Sequence, residues 1–309
     1  MSIFRQAAVL AAIESSYGTD ATPAAATHAM MATQPQISPV QGDAVTRDRA
    51  RPDFGKDFES HANIHARLSF SVELGPSPAA GSAPAYGPLL RACGFSETIQ
   101  AGVSVTYAPV SAGFESASLY FFRAGKRYIM TGARGRTTFN VQAGQLPFIA
   151  FEFLGLVANP ETDVAVVTPV WTNFRDALIV NRANTTFALG ALSPVLDRWS
   201  INIGQNLQFT DRPNLDQVRI VDRDPAGEIA FEQMAAASLS AIGLARANTR
   251  YNTALTIGTQ AGARVRLNAP ALQLIQPTEA NANGITLTQA TAKPKRASAA
   301  NDEFTLVFD

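Results

Sequence analysis

His61 and His65 stand four positions apart, the spacing at which one helix face offers two imidazoles to a metal ion. No glutamate sits where a zinc-protease helix requires one. The pair also leads directly into an alternating stretch at Arg67. On a strand, four residues span roughly 13 Å, too far for two ligands of one ion. Asp222-Arg223-Asp224 with Gly227, and Glu279 to Gly284, lack the remaining carboxylates of a calcium loop and read as turns. Cys93 is the single cysteine. As a nucleophile it would need a histidine, but it lies on the apolar side of a short helix, where cysteine is structural. No G-x-S-x-G elbow, P-loop or G-x-G-x-x-G fingerprint occurs. The residues point to no enzyme, no cofactor and no metal. Arg123, Lys126, Arg127, Arg134 and Arg136 form the densest basic cluster, read as a solvated face or an intersubunit contact. Sequence-specific DNA binding would need a groove-reading element that is not visible. Lys293, Lys295 and Arg296 read as an exposed loop.

The elements that carry these residues are mostly strands. In Arg67–Leu74, Leu68, Phe70, Val72 and Leu74 fall on one face and Arg67, Ser69, Ser71 and Glu73 on the other, the period of a half-buried strand. A Gly/Pro/Ala/Ser loop follows, and Leu89–Cys93 reads as a small helix ended by Gly94. Val103–Tyr107 and Ala117–Arg123 read as strands, the latter turning at Ala124-Gly125 into Lys126–Thr131. Ala133–Val141 alternates with Arg134, Arg136, Thr138 and Asn140 on the wet face, and Phe148–Leu154 closes this half. Upstream, Ile3–Ile13 reads as a short helix or docking arm rather than a signal peptide. Thr19–Gln41, with Pro23, Pro35 and Pro39, reads as an extended arm.

Val157–Trp171 contains Pro160 and Pro169 and reads as a linker. Beyond it, strands are expected near Thr185–Leu189, Asp197–Ile203, Gln217–Asp222 and Glu228–Gln233, then a helix over Met234–Ala247. Tyr251–Gly258, Ala263–Asn268, Leu272–Gln276, Ile285–Gln289 and Phe304–Phe308 complete a second strand series, with a turn at Asn283-Gly284. Each half thus runs strand, helix, then several strands, an order that suggests duplication. Identity between halves is limited to echoes such as RDRARPDFG at Arg47–Gly55 and DRDPAGEIAF at Asp222–Phe231.

The chain has 309 residues, enough for one large β domain or two ordinary ones. Charged residues make up 16%, against about 25% typically, and the formal net charge is zero. Low charge suits a surface that becomes subunit interface; a secreted or thermally undemanding monomer has the same composition. Zero net charge gives no global pull toward nucleic acid or anionic membrane. No run reaches the length of a membrane span.

Four stretches share a recognisable phrasing: ESSYGTDATPAA at Glu14–Ala25, the block Arg67–Thr98, GFESASLYFFRAGKRYIMTGARGRTTF at Gly113–Phe139, and QLPFIAFEFLGL at Gln145–Leu156 with the later DRDPAGEI turn. In these the chain resembles the tail tube proteins (major tail proteins) of tailed bacteriophages, particularly those with non-contractile tails. The resemblance implies a mainly β chain of two tandem tail-tube-like β-sandwich or barrel domains, each flanked by a short helix. The expected boundaries are 1–157 for the arm and first domain and 158–309 for the linker and second.

It also implies a structural virion protein, assembled in the host cytoplasm, whose rings stack into a hollow tube through which DNA passes. Implied partners are the protein itself, tail-tip and tail-terminator proteins, a tape measure protein inside the lumen and passing DNA held without specific binding, with no membrane. No catalytic residue transfers. The alternatives are a surface or fibre β-protein binding a receptor or carbohydrate, a secretion-system tube protein, and a hydrolase on a β scaffold, for which no acid–base constellation is visible. A fibre protein would need exposed aromatic loops, whereas Trp171 and Trp199 sit near a linker and in a strand.

Three expectations follow from the resemblance. Because DNA must not stick, lumen-facing strand positions are expected to be neutral or acidic, with Glu73, Glu152, Glu228 and Glu232 as candidates and Arg134 and Arg136 pointing outward or to interfaces. The loop Gly75–Gly87, with Pro76, Pro78, Gly81 and Pro84, and the arm Thr19–Gln41 are expected to order only against a neighbouring subunit or ring. Two domains per chain predict a trimeric ring with pseudo-sixfold symmetry.

Overall fold

The computed structural model describes residues 4–158 and 160–309. In the first half, the strands are β1 (Ala7–Ile13), β2 (Ala29–Met30), β3 (Ala32–Val45), β4 (Ser60–Glu73), β5 (Phe95–Gln100), β6 (Ser104–Pro109), β7 (Ala117–Arg123), β8 (Lys126–Gln142), β9 (Phe148–Val157) and β10 (Thr162–Asp163). Helix α1 (Gly87–Ala92) follows β4. The second half contains β11 (Thr185–Leu189), β12 (Leu196–Asn202), β13 (Gln205–Arg212), β14 (Leu215–Arg223), β15 (Ala226–Glu232), helix α2 (Ala241–Ala247), β16 (Arg250–Ile257), β17 (Val265–Ala282), β18 (Ile285–Pro294) and β19 (Thr305–Phe308). The chain is mainly β, as its alternation predicts.

The spine is an antiparallel run of strands in the order β3-β4-β9-β8-β12-β15-β18-β17. Leu68, Phe70, Phe151, Phe153, Phe139, Trp199, Ile201 and Phe231 point from it into one core. Behind it, β7 and β16 supply Leu119, Phe121 and Leu255 to the same core. Burial of each such side chain stabilises by about 1.5–3 kcal/mol. The turns chosen from sequence are formed: Ala124-Gly125 and Asn283-Gly284 both have positive φ at the two central positions, as a two-residue hairpin demands. Gly94 ends the α1 segment at φ +80°.

Six pairings of the first half have counterparts in the second. β3·β4, β4·β9, β9·β8, β8·β7, β7·β1 and β8·β10 in the first correspond to β12·β15, β15·β18, β18·β17, β17·β16, β16·β11 and β17·β19 in the second, all antiparallel. The helices match too, α1 after β4 and α2 after β15. The halves nevertheless share sheet and core. β8 pairs with β12 across the 157/158 boundary, β6 pairs with β19, and the core cluster contains residues of both halves.

Several local expectations are corrected. The Ala-rich N-terminal segment is strand β1, not a helix, because β7 offers a seven-residue ladder from Ala7↔Arg123 to Ile13↔Ala117 and both faces are buried. That tertiary pairing overrides alanine's helix propensity. The stretch read as a linker packs down: Val164, Val166 and Val167 cover Ala8, Leu10, Tyr120 and Phe122. The later part of the arm is strand β3, with Pro35 and Pro39 tolerated because β3 is an edge strand broken by register shifts. The second helix is shorter than Met234–Ala247, beginning after Ser240, whose hydroxyl accepts the Gly243 amide at 3.1 Å. Ala263–Asn268 and Leu272–Gln276 fuse into β17, and Lys293 lies within β18 rather than in a loop. The β13–β14 hairpin begins at Gln205, well before the strand expected there.

Candidate functional site

The face of the spine turned away from the core is polar and uncovered by any strand layer along much of its width. Alternation puts it there: Ser69 and Ser71 on β4, Glu152 on β9, Arg136, Thr138 and Asn140 on β8, Arg198, Ser200 and Asn202 on β12, and Glu228 on β15 all oppose the core-facing set. The register aligns them in rows that cross the boundary between halves. Glu73 faces Phe148, which faces Asn140, then Ser200, then Glu228, then Thr291. A second row runs Ser71, Ala150, Thr138, Asn202. Between β3 and β12 this face forms an open trough of about 540 Å³ lined by Gln34, Gln36, Ser69, Ser71, Thr138 and Asn202, with Arg136 and Glu152 among them.

All four glutamates chosen from sequence, Glu73, Glu152, Glu228 and Glu232, lie on this one face by strand alternation. Arginines share this face with the glutamates. Arg136 stands directly opposite Glu152 and binds it at 2.8 Å, and Arg67 binds the other Glu152 oxygen at 2.5 Å. Arg198 is on the same face and donates to the Gln289 side chain at 2.8 Å. The period-two pattern gives every second residue to this face whatever its charge, so arginines enter with glutamates and are paired there. Arg67 and Arg198 were legible as wet-face residues from alternation but carried no signal of belonging to one site.

Arg134 lies at the covered end of that face. Strand parity gives it the face of Arg136, with Leu154 opposite, but the N-terminal turn and β14 cover this end of the face and leave it 8% exposed. Its guanidinium donates to the carbonyls of Val218 (2.8 Å), Phe114 (2.8 Å) and Glu115 (3.1 Å). Burial lowers its pKa, while Tyr17 and Glu14 act in the opposite direction. The rest of the basic cluster is dispersed: Lys126 pairs with Glu161 at 2.8 Å, Arg127 donates to Thr162, and Arg123 donates to the Pro35 carbonyl. No contiguous basic patch results.

The loop Gly75–Gly87 is held by its own chain. Tyr86 is buried and donates its hydroxyl to the Gly75 carbonyl at 2.6 Å, Pro84 and Ser77 are buried, and Pro76, Pro78 and Gly81 are half-buried. A Cβ at Gly81 would collide with the Gln100–Gly102 backbone. These contacts all come from the loop's own chain.

His61 and His65 lie on β4 as a strand reading requires, with His65 Nδ1 2.8 Å from the Asn63 carbonyl oxygen and its ring 4.7 Å from Phe209. Cys93 is buried against Gly135, and burial pushes its thiol pKa well up, away from the reactive thiolate. Among the described residues no group of three or more His, Cys, Asp or Glu side chains could hold a metal ion, and no helix is long and apolar enough to cross a membrane. No protein-family model and no curated protein matches the chain.

The spine also has two open edges. β3 pairs only through the side facing β4. Among the described residues β17 beyond Gln273 has a strand ladder only with β18, and helix α2 packs against β17. In the first half, the corresponding free end of β8 is occupied by β12, through Thr138↔Asn202 to Gln142↔Arg198. Sequence reasoning saw the strands and not these edges, because an edge is defined by the absence of a distant partner.

Proposed function

We propose that this chain is a structural protein that self-assembles into closed rings, stacked into a hollow tube of the phage tail type. One observation carries the reading. The chain joins its halves by pairing β12 to the end of β8, and the two counterparts of that junction, the β3 edge and the β17 end, have no second strand partner among the described residues. β3 corresponds to β12 and β17 to β8, so the β3 of one copy fits the β17 of the next as β12 fits β8. Such a contact is heterologous, and where its rotation closes it makes a ring. Open edges of this length are otherwise an aggregation liability.

Three copies, each supplying eight spine strands, would place about 24 strands around the ring, a closed barrel with pseudo-sixfold symmetry. The polar face then lines the bore. Its hydroxyl and amide groups, with Arg67, Arg136 and Arg198 set against Glu73, Glu152, Glu228 and Glu232, leave no net positive charge among these residues to hold a phosphate backbone. In this reading the protein resides in the virion, with tail-tip, terminator and tape measure proteins as partners, and passes DNA without binding it.

Negative-stain microscopy and native mass measurement of concentrated protein test the proposal. Rings of three chains are expected. Six chains per ring would show that the halves do not act as equivalent ring units, and a chain that stays monomeric at every concentration would refute assembly.

A further inference from the structure

Both open edges of the spine carry the same irregularity. On β3 the ladder to β4 jumps from Thr33↔Ser71 to Gln36↔Ser69, so that Gln34 and Pro35 together oppose Phe70. On β17 the ladder to β18 jumps from Ile275↔Thr291 to Thr278↔Gln289, so that Gln276 and Pro277 oppose Ala290. Each is a β-bulge of two residues against one. These are the only two Gln-Pro pairs in the chain. The glutamine has φ +50° in both. A residue with a Cβ is strained in that left-handed region, and a following proline favours extended backbone before it instead.

A third bulge of the same form shows what the bend alone requires. On β8, Gly132 and Ala133 oppose Gly155 between Thr131↔Leu156 and Arg134↔Leu154, and Gly132 has φ +57°. Glycine takes that left-handed position without strain. Ala133 keeps its amide and also pairs with Ala117 of β7, so β8 is flanked by strands on both sides here. Of these three bulges, only the two at open edges contain proline. A further proline, Pro39, lies in the next shift of β3, between Ser38↔Arg67 and Gln41↔His65. None of the three prolines has an N–H to donate, and the Pro35 carbonyl already accepts from Arg123. Gly-Ala supplies the bend without strain. What the Gln-Pro form adds is a missing donor at an open edge.

We propose that the Gln34-Pro35 and Gln276-Pro277 bulges, with Pro39, are guards that hold back strand addition at the two open edges. A strand laid along β3 or the β17 end meets a bent backbone and missing donors at these positions. Charge, another common guard, is nearly absent. Asp43 is the only charged residue of β3, and Glu279 the only one of β17 beyond Gln273. The inference rests on the self-assembly reading for what the edges are for, and assigns the control of that pairing to three prolines.

The test compares the full-length chain with Pro35→Ala/Pro39→Ala/Pro277→Ala; Pro277→Ala alone carries the test if the triple variant does not fold. Circular dichroism and thermal unfolding establish that each variant is folded. Light scattering and native mass measurement over a dilution series then give the concentration at which copies associate. In the triple variant that concentration is expected to fall by about tenfold or more, the factor that about one restored backbone hydrogen bond carries. A smaller fall is expected in Pro277→Ala. Gln34→Gly/Gln276→Gly, which relaxes both glutamines and keeps the prolines, is expected to associate as wild type does. An unchanged concentration in folded proline variants, or an equal fall in the glycine variant, overturns this inference and leaves the self-assembly reading intact. A wild type that stays monomeric at every concentration refutes that reading instead. Proline variants that then associate still support the guards, and ones that do not overturn them.

Discussion

The Val218 amide donates to the Tyr17 hydroxyl at 2.7 Å, across 201 positions of sequence. Tyr17 sits in the N-terminal turn and Val218 in β14, so this bond ties the start of the first half to the hairpin inserted in the second. Arg134 lies over the Tyr17 ring at 4.9 Å and donates to the carbonyl of the same Val218. Burial raises the Tyr17 pKa, so the hydroxyl stays protonated through the physiological range. The three residues form a clamp whose parts come from β8, β14 and the turn after β1.

Removing the charge at the centre of this clamp is expected to be costly. Arg134→Ala leaves three carbonyls without their donor and should lower unfolding free energy by about 2–4 kcal/mol. Arg134→Lys should recover little, because an ammonium lacks the planar fork by which the guanidinium reaches three divergent carbonyls. Urea unfolding midpoints of the two variants check both statements.

Glu14 is the second buried hub. Its carboxylate accepts from the Gly18 and Gly132 amides (2.8 and 2.7 Å) and from the Ser116 and Ser118 hydroxyls (2.7 and 2.9 Å). Glu14→Ala strands these donors in a site 7% exposed and should cost about 3 kcal/mol. Amide exchange at Gly132 should accelerate in the same variant; unchanged exchange there would show that the network is not what holds the turn.

Two glycines hold the sheet together by having no side chain. A Cβ at Gly227 would run into the Ser200 carbonyl, at the pairing of β12 with β15, and one at Gly135 would meet the Phe153 ring at 2.6 Å and Cys93 Sγ at 2.7 Å. Gly135→Ala is expected to destabilise by about 1–3 kcal/mol through overpacking. Gly227→Ala is expected to do more, since backbone must move, and to reduce soluble yield. Thermal unfolding compares them.

Acid sensitivity is expected near the C-terminal turn. Asp302 accepts the Ala299, Ser298 and Ala297 amides (2.6, 2.7 and 2.9 Å), which pull its pKa down from 3.8 to about 2. A carboxylate depressed by folding stabilises above its unfolded pKa, and that contribution is lost as pH falls from about 4 through 2. Asp302→Asn should therefore unfold with a shallower pH dependence in that window and be indistinguishable in slope above it. Unfolding midpoints measured across the window decide the matter.

The strand periods at Arg67–Leu74 and Phe148–Leu154, the Ala124-Gly125 and Asn283-Gly284 turns, and the buried Cys93 were legible in the sequence. Each is a local matter, in which side-chain alternation or a left-handed turn preference acts within a few residues. The polar face holding Glu73, Glu152, Glu228 and Glu232 was half legible, since alternation separates wet from dry positions but not one wet face from another. Tertiary structure alone decided the rest. β1 became a strand because β7 was there to pair with it, Arg134 lost its water because Tyr17 and β14 cover its end of the face, and β12 met β8 across the boundary between halves. Those outcomes depend on hydrogen-bond partners and core contacts far away in the chain, and no local pattern encodes which distant edge a strand will meet.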